Sequence, residues 1–300
     1  MKLKNIANVF FVVVFVFSGV VIAHNEVYSA HNSLESLTQI ECELRPKMRS
    51  SRSRNYDKFN LTDKKGSTYE CFTHPHIAAR QGTSQNWGGY IAVTNIDNPV
   101  HNSVDAVYGS WVVPNVKSST THDTWCSLWV GIDGYSNGTV EQIGTEHDWY
   151  KGKQVDYAWF EMYPDYSYEI VGFPLKRGDL ISASVVYTCN GIFVMTIVNE
   201  TKKVYTTIPA SYTTSLIAQR SSAEWVAEAP YLRGIILPLS HFGTVKFSNC
   251  LATINNINGP IKDNFWANDV LTMVGNGGTK AVPSPLSPNA QAFNVVWKHE

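Results

Sequence analysis

From Gln85 onward, hydrophobic and polar positions alternate in short runs, with no long stripe at the helical period. Ile181, Ala183, Val185 and Tyr187 alternate with Ser182, Ser184, Val186 and Thr188, and Asn190-Gly191 separates this run from I-F-V-M-T-I-V. Asn-Gly between two β-rich runs predicts a two-residue hairpin, because both turn positions need a positive φ. Further strands are read at Gly88–Thr94, Val104–Val113, Trp125–Ile132, Thr139–Gly144, Tyr157–Tyr163, Lys203–Ile208, Glu224–Glu228, Gly243–Ser248, Asp269–Val274 and Phe293–Trp297. More than ten strands in roughly 215 residues predict an all-β antiparallel sandwich of two large sheets, long enough to bury one core as a single domain.

The front of the chain has a different texture. Lys2 and Lys4 precede an apolar run from Val9 to Phe17, and Val20 to Ala23 finish it with a small residue. The stretch is short beside the roughly 20 residues that a membrane helix needs. It reads as a signal peptide over residues 1–23, cleaved after Ala23, with an uncleaved anchor as the other reading. This predicts a secreted protein with no membrane association after signal removal.

Residues 24–84 are polar and lack periodic pattern, and they read as a propeptide or leader ahead of a body over residues 85–300. Lys and Arg against Asp and Glu give 9 − 7 = +2 in the leader and 13 − 18 = −5 in the body. Opposite signs predict that the leader docks electrostatically on its own body, more weakly where carboxylates are protonated. A linker with no inhibitory role is the alternative. A net charge of −1 over the whole chain argues against a nucleic-acid partner.

The five cysteines, Cys42, Cys71, Cys126, Cys189 and Cys250, form no C-x-x-C pair, which argues against zinc. Two lie in the leader and three in the body, so at least one body thiol is free or paired with the leader. Asn60, Asn137 and Asn199 head N-x-S/T sequons. The nine tryptophans are mostly expected in the core or on sheet faces, although a cluster with polar neighbours would suit an extended polymer.

Two blocks carry candidate chemistry. W-V-G-I-D-G (Trp129 to Gly134) runs into V-E-Q-I-G around Gln142, and S-A-E-W-V-A-E (Ser222 to Glu228) holds Glu224. A carboxylate can activate water and a primary amide can donate to a developing oxyanion, so the pair makes a hydrolytic site that needs no metal or cofactor. N-W-G-G (Asn86 to Gly89), G-S-W-V-V-P (Gly109 to Pro114) and W-F-E-M-Y-P (Trp159 to Pro164) complete an ordered series with them.

That series resembles the eqolisins, the glutamic peptidases, over most of residues 85–300. The resemblance implies a sandwich of two seven-stranded sheets, a concanavalin- or lectin-like jelly roll. It implies a zymogen with a propeptide, and a monomeric endopeptidase acting on polypeptide substrates in acid. It places the catalytic glutamine at Gln142 and the catalytic glutamate at Glu224. Trp129 and Asp133 become substrate-lining residues, with Trp87 and Glu161 near the cleft. The chain departs from the family at Ile143, where threonine is common, at Met162, where an aromatic is common, and in a loop between Asp133 and Gln142 about one residue short.

Competing chemistries fit less well. Gly134-Tyr135-Ser136-Asn137-Gly138 matches G-x-S-x-G, but a nucleophile elbow needs a helix after the serine and T-V-E-Q-I-G reads as strand. D-T-G, D-S-G and H-E-x-x-H are absent. His74-Pro75-His76 is not read as a metal site, and His122-Asp123 reads as a polar loop. The alternatives kept open are a glycoside hydrolase using Glu161 and Glu224, and a lectin-like carbohydrate-binding module.

Overall fold

The computed structural model describes residues 72–78, 82–117, 121–212 and 214–300. The signal-peptide reading and the leader up to residue 71, with Cys42, Cys71 and Asn60, lie outside the described residues. All described residues except Thr188–Asn190 belong to one compact unit.

Every regular element among the described residues is a strand. In chain order they are β1 (Thr83–Ser84), β2 (Trp87–Val93), β3 (Val104–Val112), β4 (Ser127–Ile132), β5 (Val140–Tyr150), β6 (Lys153–Tyr163), β7 (Tyr168–Glu169), β8 (Leu180–Cys189) and β9 (Ile192–Asn199). There follow β10 (Val204–Ala210), β11 (Ser222–Glu228), β12 (Tyr231–Leu232), β13 (Ile235–Ile236), β14 (Thr244–Ile254), β15 (Ile257–Pro260), β16 (Ala267–Gly275), β17 (Gly278–Pro283) and β18 (Phe293–Trp297). The predicted hairpin joins β8 to β9, with Asn190 at φ 50° and Gly191 at φ 75°, the left-handed pair that such a turn requires.

The main hydrogen-bonded path is β10-β9-β8-β3-β14-β18-β17-β16-β2-β11-β4-β5-β6-β7, with β1 added on β16 and β15 on β14, and β12 and β13 pair apart from it. The path folds over at β16: its residues 273–275 pair with β17, and its residues 267–271 pair with β2. Two layers result. One ends at β17, and the other runs from β16 to β7.

Period-2 alternation fixes what each layer turns inward. Leu128, Val130 and Ile132 of β4 and Ala223, Trp225 and Ala227 of β11 share one buried cluster with Val107 and Trp111 of β3, Val185 of β8 and Phe247 of β14. Burying such a side chain is worth about 1.5–3 kcal/mol, so this cluster is the main cohesive term of the sandwich. The indole nitrogens also find partners across the layers. Trp111 Nε1 donates to Thr145 Oγ1 at 2.8 Å and Trp225 Nε1 to the Tyr108 carbonyl at 2.7 Å. Cys126 and Cys250 are buried free thiols. The side chain of Asn199, which heads a sequon, is buried and donates to Pro174 O and Asp179.

Ile143 and Met162, two of the departures from the eqolisin pattern, both belong to this inter-sheet core. They therefore alter packing between the layers and not the shape of the opposite face.

Candidate active site

The opposite face of the second layer carries the chemistry. On β11 it receives Ser222, Glu224, Val226 and Glu228, the residues that alternate with the core set. Register then brings the candidates into one row: Glu224 lies opposite Ile91 of β2 and Gly131 of β4, Gly131 opposite Gln142 of β5, and Gln142 opposite Glu161 of β6. Residues in register share a face, so Glu224, Gln142 and Glu161 point the same way. At a strand spacing of about 4.8 Å, the Cα atoms of Glu224 and Gln142 lie roughly 9.6 Å apart.

Gly131 keeps the floor between them open. A Cβ there would meet Trp129 Cζ3 at 2.9 Å and Gln142 Cβ at 3.1 Å. Gly144 does the same in the adjacent row, where an added Cβ would meet the Leu128 carbonyl oxygen at 2.4 Å and Trp129 Cβ at 2.5 Å.

Gln142 is fully buried, and its amide nitrogen donates to Glu161 Oε2 at 2.7 Å and to the His74 carbonyl at 3.2 Å. Glu161 Oε2 also accepts the backbone N–H of His74 at 3.1 Å. Glu224 is equally buried, and neither of its carboxyl oxygens has a hydrogen-bond partner of good geometry. Burial, and then the charges of Asp133 and Glu141, push its carboxyl well above the usual range, against a lowering influence from the Ser222 hydroxyl. Burial and then Glu228 raise Glu161 in the same way.

The other three sequence candidates have distinct placements. Trp129 Nε1 donates to Glu228 Oε2 at 2.6 Å, and its ring meets Trp87 edge-on at 4.8 Å. Trp87 stacks on His76 at 4.5 Å. Asp133, at φ 72° and fully buried, spends its carboxylate on the neighbouring loop. It accepts from Arg220 N, Ser221 N, Ser221 Oγ and Asn137 Nδ2 at 2.6–3.0 Å. Asp133 thus ties the β4–β5 turn to the segment entering β11 and acts on Glu224 through its field.

The segment Phe72–Ala78, at the end of the leader read from the sequence, lies along this face in extended form. Its backbone groups are matched one after another. Phe72 O accepts from Ser167 N and Oγ; Thr73 N and O pair with Tyr231 O and N at 3.0 Å. His74 N and O meet Glu161 and Gln142, Pro75 O accepts Asn86 Nδ2 at 2.8 Å, and Ile77 N donates to Asn86 Oδ1 at 2.9 Å. Alternate side chains enter aromatic slots: Phe72 against Trp125, His74 stacked on Trp159 at 3.9 Å, and His76 against Trp87 and Tyr135.

Sequence reasoning missed Glu228, Glu146 and Ser127, which gather around His74. Glu228 Oε2 sits 3.2 Å from His74 Nδ1, its Oε1 accepts Asn86 Nδ2 at 2.9 Å, and Ser127 Oγ donates to Glu146. Burial holds the His74 imidazole down at about 4, against the opposing charge of Glu146, and burial raises the Glu146 carboxyl to about 7. The missed signal was alternation: Glu228 lies four residues after Glu224 on one strand and therefore shares its face. Among the described residues, no group of three or more His, Cys, Asp or Glu side chains is arranged to hold a metal.

A buried glutamine amide aimed at a peptide carbonyl thus stands one glycine away in register from a buried glutamate. The sequence model of the Peptidase A4 family matches residues 85–284. The chain belongs to the Peptidase A4 family. Aspergillopepsin-2 of Aspergillus niger is 28% identical over 184 residues, covering 61% of this chain and 57% of that protein. Scytalidopepsin B of Scytalidium lignicola is 29% identical over 153 residues, covering 51% and 55%. The chain thus spans just over half the length of these curated relatives. Among solved structures, scytalido-glutamic peptidase with a transition-state analogue inhibitor superposes with a TM-score of 0.60 at 23% identity, covering 71% of this chain and 98% of that one. Aspergilloglutamic peptidase from Aspergillus niger gives 0.53 at 25% identity, covering 58% and 99%. This Peptidase A4 member therefore shares the β-sandwich of the solved glutamic peptidases, as the order of its motifs implied.

Proposed function

We propose that the chain is a secreted endopeptidase that hydrolyses polypeptides in acid with Gln142 and Glu224 as its catalytic pair. One observation carries the reading: the Gln142 amide already donates to a backbone carbonyl of an extended peptide segment, in the same register row as Glu224. In the proposed reaction Glu224, as carboxylate, takes a proton from water, whose oxygen adds to the scissile carbonyl carbon. Gln142 donates to the resulting oxyanion, and it suits this role because a neutral amide keeps donating throughout the acid range. Glu224 then returns the proton to the leaving nitrogen as the C–N bond breaks.

Glu161 positions the amide by accepting one of its N–H groups. Trp129 and Trp87 form the aromatic wall, and Asp133 acts from behind the loop. Burial favours the protonated form of Glu224, and water admitted with a substrate would weaken that effect and bring its titration back toward the acid range.

The seating of Phe72–Ala78 supports the reading of residues 24–84 as a propeptide that inhibits its own body, a zymogen arrangement with residues 85–300 as a monomeric catalytic domain. A glycoside hydrolase built on Glu161 and Glu224 gives the Gln142–carbonyl contact no purpose, and a lectin-like module gives none to an unpartnered buried glutamate.

The test is to incubate the purified full chain in acid and follow two readouts in one tube, digestion of an unfolded protein and the N-terminus of the chain. The proposal expects digestion to rise as the leader is lost, with little inhibition by mimics built for paired aspartates. Release of sugar from a β-glucan without proteolysis would replace it with the glycosidase reading.

A further inference from the structure

The docked segment has a register, and that register has a chemical consequence. We propose that His74–Pro75 occupies the position of the bond the site cleaves, and that Pro75 at the leaving position keeps this segment an inhibitor instead of a substrate. This rests on the assignment of Gln142 and Glu224 above.

Three observations fix the register. The carbonyl that Gln142 Nε2 reaches belongs to His74, so the carbon beside it is the one an oxyanion donor would activate. The flanking backbone is held on both sides of that carbonyl, by Glu161 and Tyr231 before it and by Asn86 after it. The side chains at 72, 74 and 76 each sit against a tryptophan, which leaves the segment little freedom to slide by one residue, because a slip would turn all three away from their slots.

A well-held peptide with its carbonyl on the oxyanion donor should be cut unless something blocks the step. Hydrolysis forms a bond between the water oxygen and the His74 carbonyl carbon, passes one water proton to Glu224, and breaks the bond to residue 75 as that proton reaches its nitrogen. The second water proton stays with the new carboxyl group. At Pro75 that nitrogen carries no hydrogen and is closed into a ring whose Cδ crowds the preceding residue. The nitrogen must accept its proton from one flank, and the ring Cδ fills the space beside it that an N–H would leave clear. Tight binding and poor cleavage in one segment are the properties of a competitive inhibitor. No backbone bond is lost by it, since proline has no N–H to leave unpaired.

The experiment uses the full chain in three forms, wild type, Pro75→Ala and Pro75→Ala with Glu224→Gln, incubated in acid and analysed by mass spectrometry alongside digestion of an unfolded protein. The expected result is a new break between residues 74 and 75 in the Pro75→Ala chain alone. A Pro75→Ala chain that digests unfolded protein but keeps its 74–75 bond intact overturns the proposal while leaving the catalytic pair standing. If wild type and Pro75→Ala both fail to digest any protein, the catalytic assignment falls, and this inference falls with it. Should the variant chain fold poorly, synthetic peptides spanning residues 72–78 decide the matter when added to acid-treated wild-type protein. The natural peptide should inhibit and be recovered whole, and the alanine version should be split after histidine. Equal cleavage of the two peptides would overturn the role of Pro75.

Discussion

The side-chain amide of Gln142 lies 3.2 Å from the carbonyl oxygen of His74 and 2.7 Å from Glu161 Oε2. One amide group thus joins a strand of the sandwich to the backbone of the Phe72–Ala78 segment, and a buried carboxyl sets its direction. Replacing Gln142 with alanine removes the donor while leaving the surrounding strand pairing intact. We expect kcat to fall by about 10²–10³, the usual cost of one oxyanion donor, with little change in KM. Steady-state kinetics on an unfolded protein in acid measures both constants.

Glu161 acts through Gln142, and its removal should look different. Glu161→Ala leaves the amide free to rotate and deprives the docked segment of its acceptor for the His74 N–H. Loss of a hydrogen bond worth about 1 kcal/mol predicts a fall in kcat of several-fold rather than a collapse, with the Phe72–Ala78 segment released more readily. Glu161→Gln, which keeps an acceptor oxygen, should restore most of both. Time courses of leader loss and of substrate digestion report the two effects separately.

Gly131 separates the two proposed catalytic side chains in register. A methyl group there must displace Trp129 or Gln142, because its contacts would be 2.9 and 3.1 Å. Gly131→Ala should cost about 1–3 kcal/mol of stability as overpacking and should lower kcat as Gln142 moves. Denaturant melts and kinetics on the same preparation check the pair of effects.

Stability should fall as pH rises, the reverse of the ordinary acid-sensitive protein. Burial raises the carboxyls of Glu141, Glu146, Asp148, Glu161, Glu224 and Glu228, with Glu146 at about 7. A group whose pKa is higher folded than unfolded stabilises the fold fully below its unfolded pKa and loses that contribution as pH rises through the folded value. His74 and His76, both lowered to about 4 by burial, have the opposite sign, and their contribution is lost as pH falls below about 6.5. The histidines contribute no slope above that pH, so the decline should be clearest between pH 6.5 and 8. Thermal melts of the full chain from pH 5 to 8 should show a falling Tm; a rise across the same range would contradict the assignment of these carboxyls as buried acids.

Much of this arrangement was legible in the sequence, and the omissions have physical causes. The Asn190-Gly191 hairpin and the strand holding Glu224 were readable because local turn chemistry and period-2 alternation act within a few residues. The strand through Gln142, which alternation ends at Gly144, continues to Tyr150. Its extension looks polar on both faces because Thr145 and His147 enter the core as hydrogen-bonded groups: Trp111 donates to Thr145, His147 bridges Thr145 and Asp156, and Gln154 donates to Asp156. A satisfied polar network occupies core positions that hydrophobicity alone assigns to apolar residues. The strands Ile257–Pro260 and Gly278–Pro283 carry no readable alternation because they are short and hold glycine and proline, although the second is paired on both sides. The place of His74 could not be read at all, since its partners come from strands up to 154 positions further along the chain, as in its contact with Glu228.

The most direct measurement is single-turnover cleavage of an unfolded protein in acid by wild type and by Glu224→Gln, each stripped of its leader to the same extent and each confirmed as folded. The account predicts unchanged substrate binding and loss of nearly all bond cleavage in the variant, because an amide can neither accept the water proton nor return it to the leaving nitrogen. Cleavage by Glu224→Gln at the wild-type rate would contradict it.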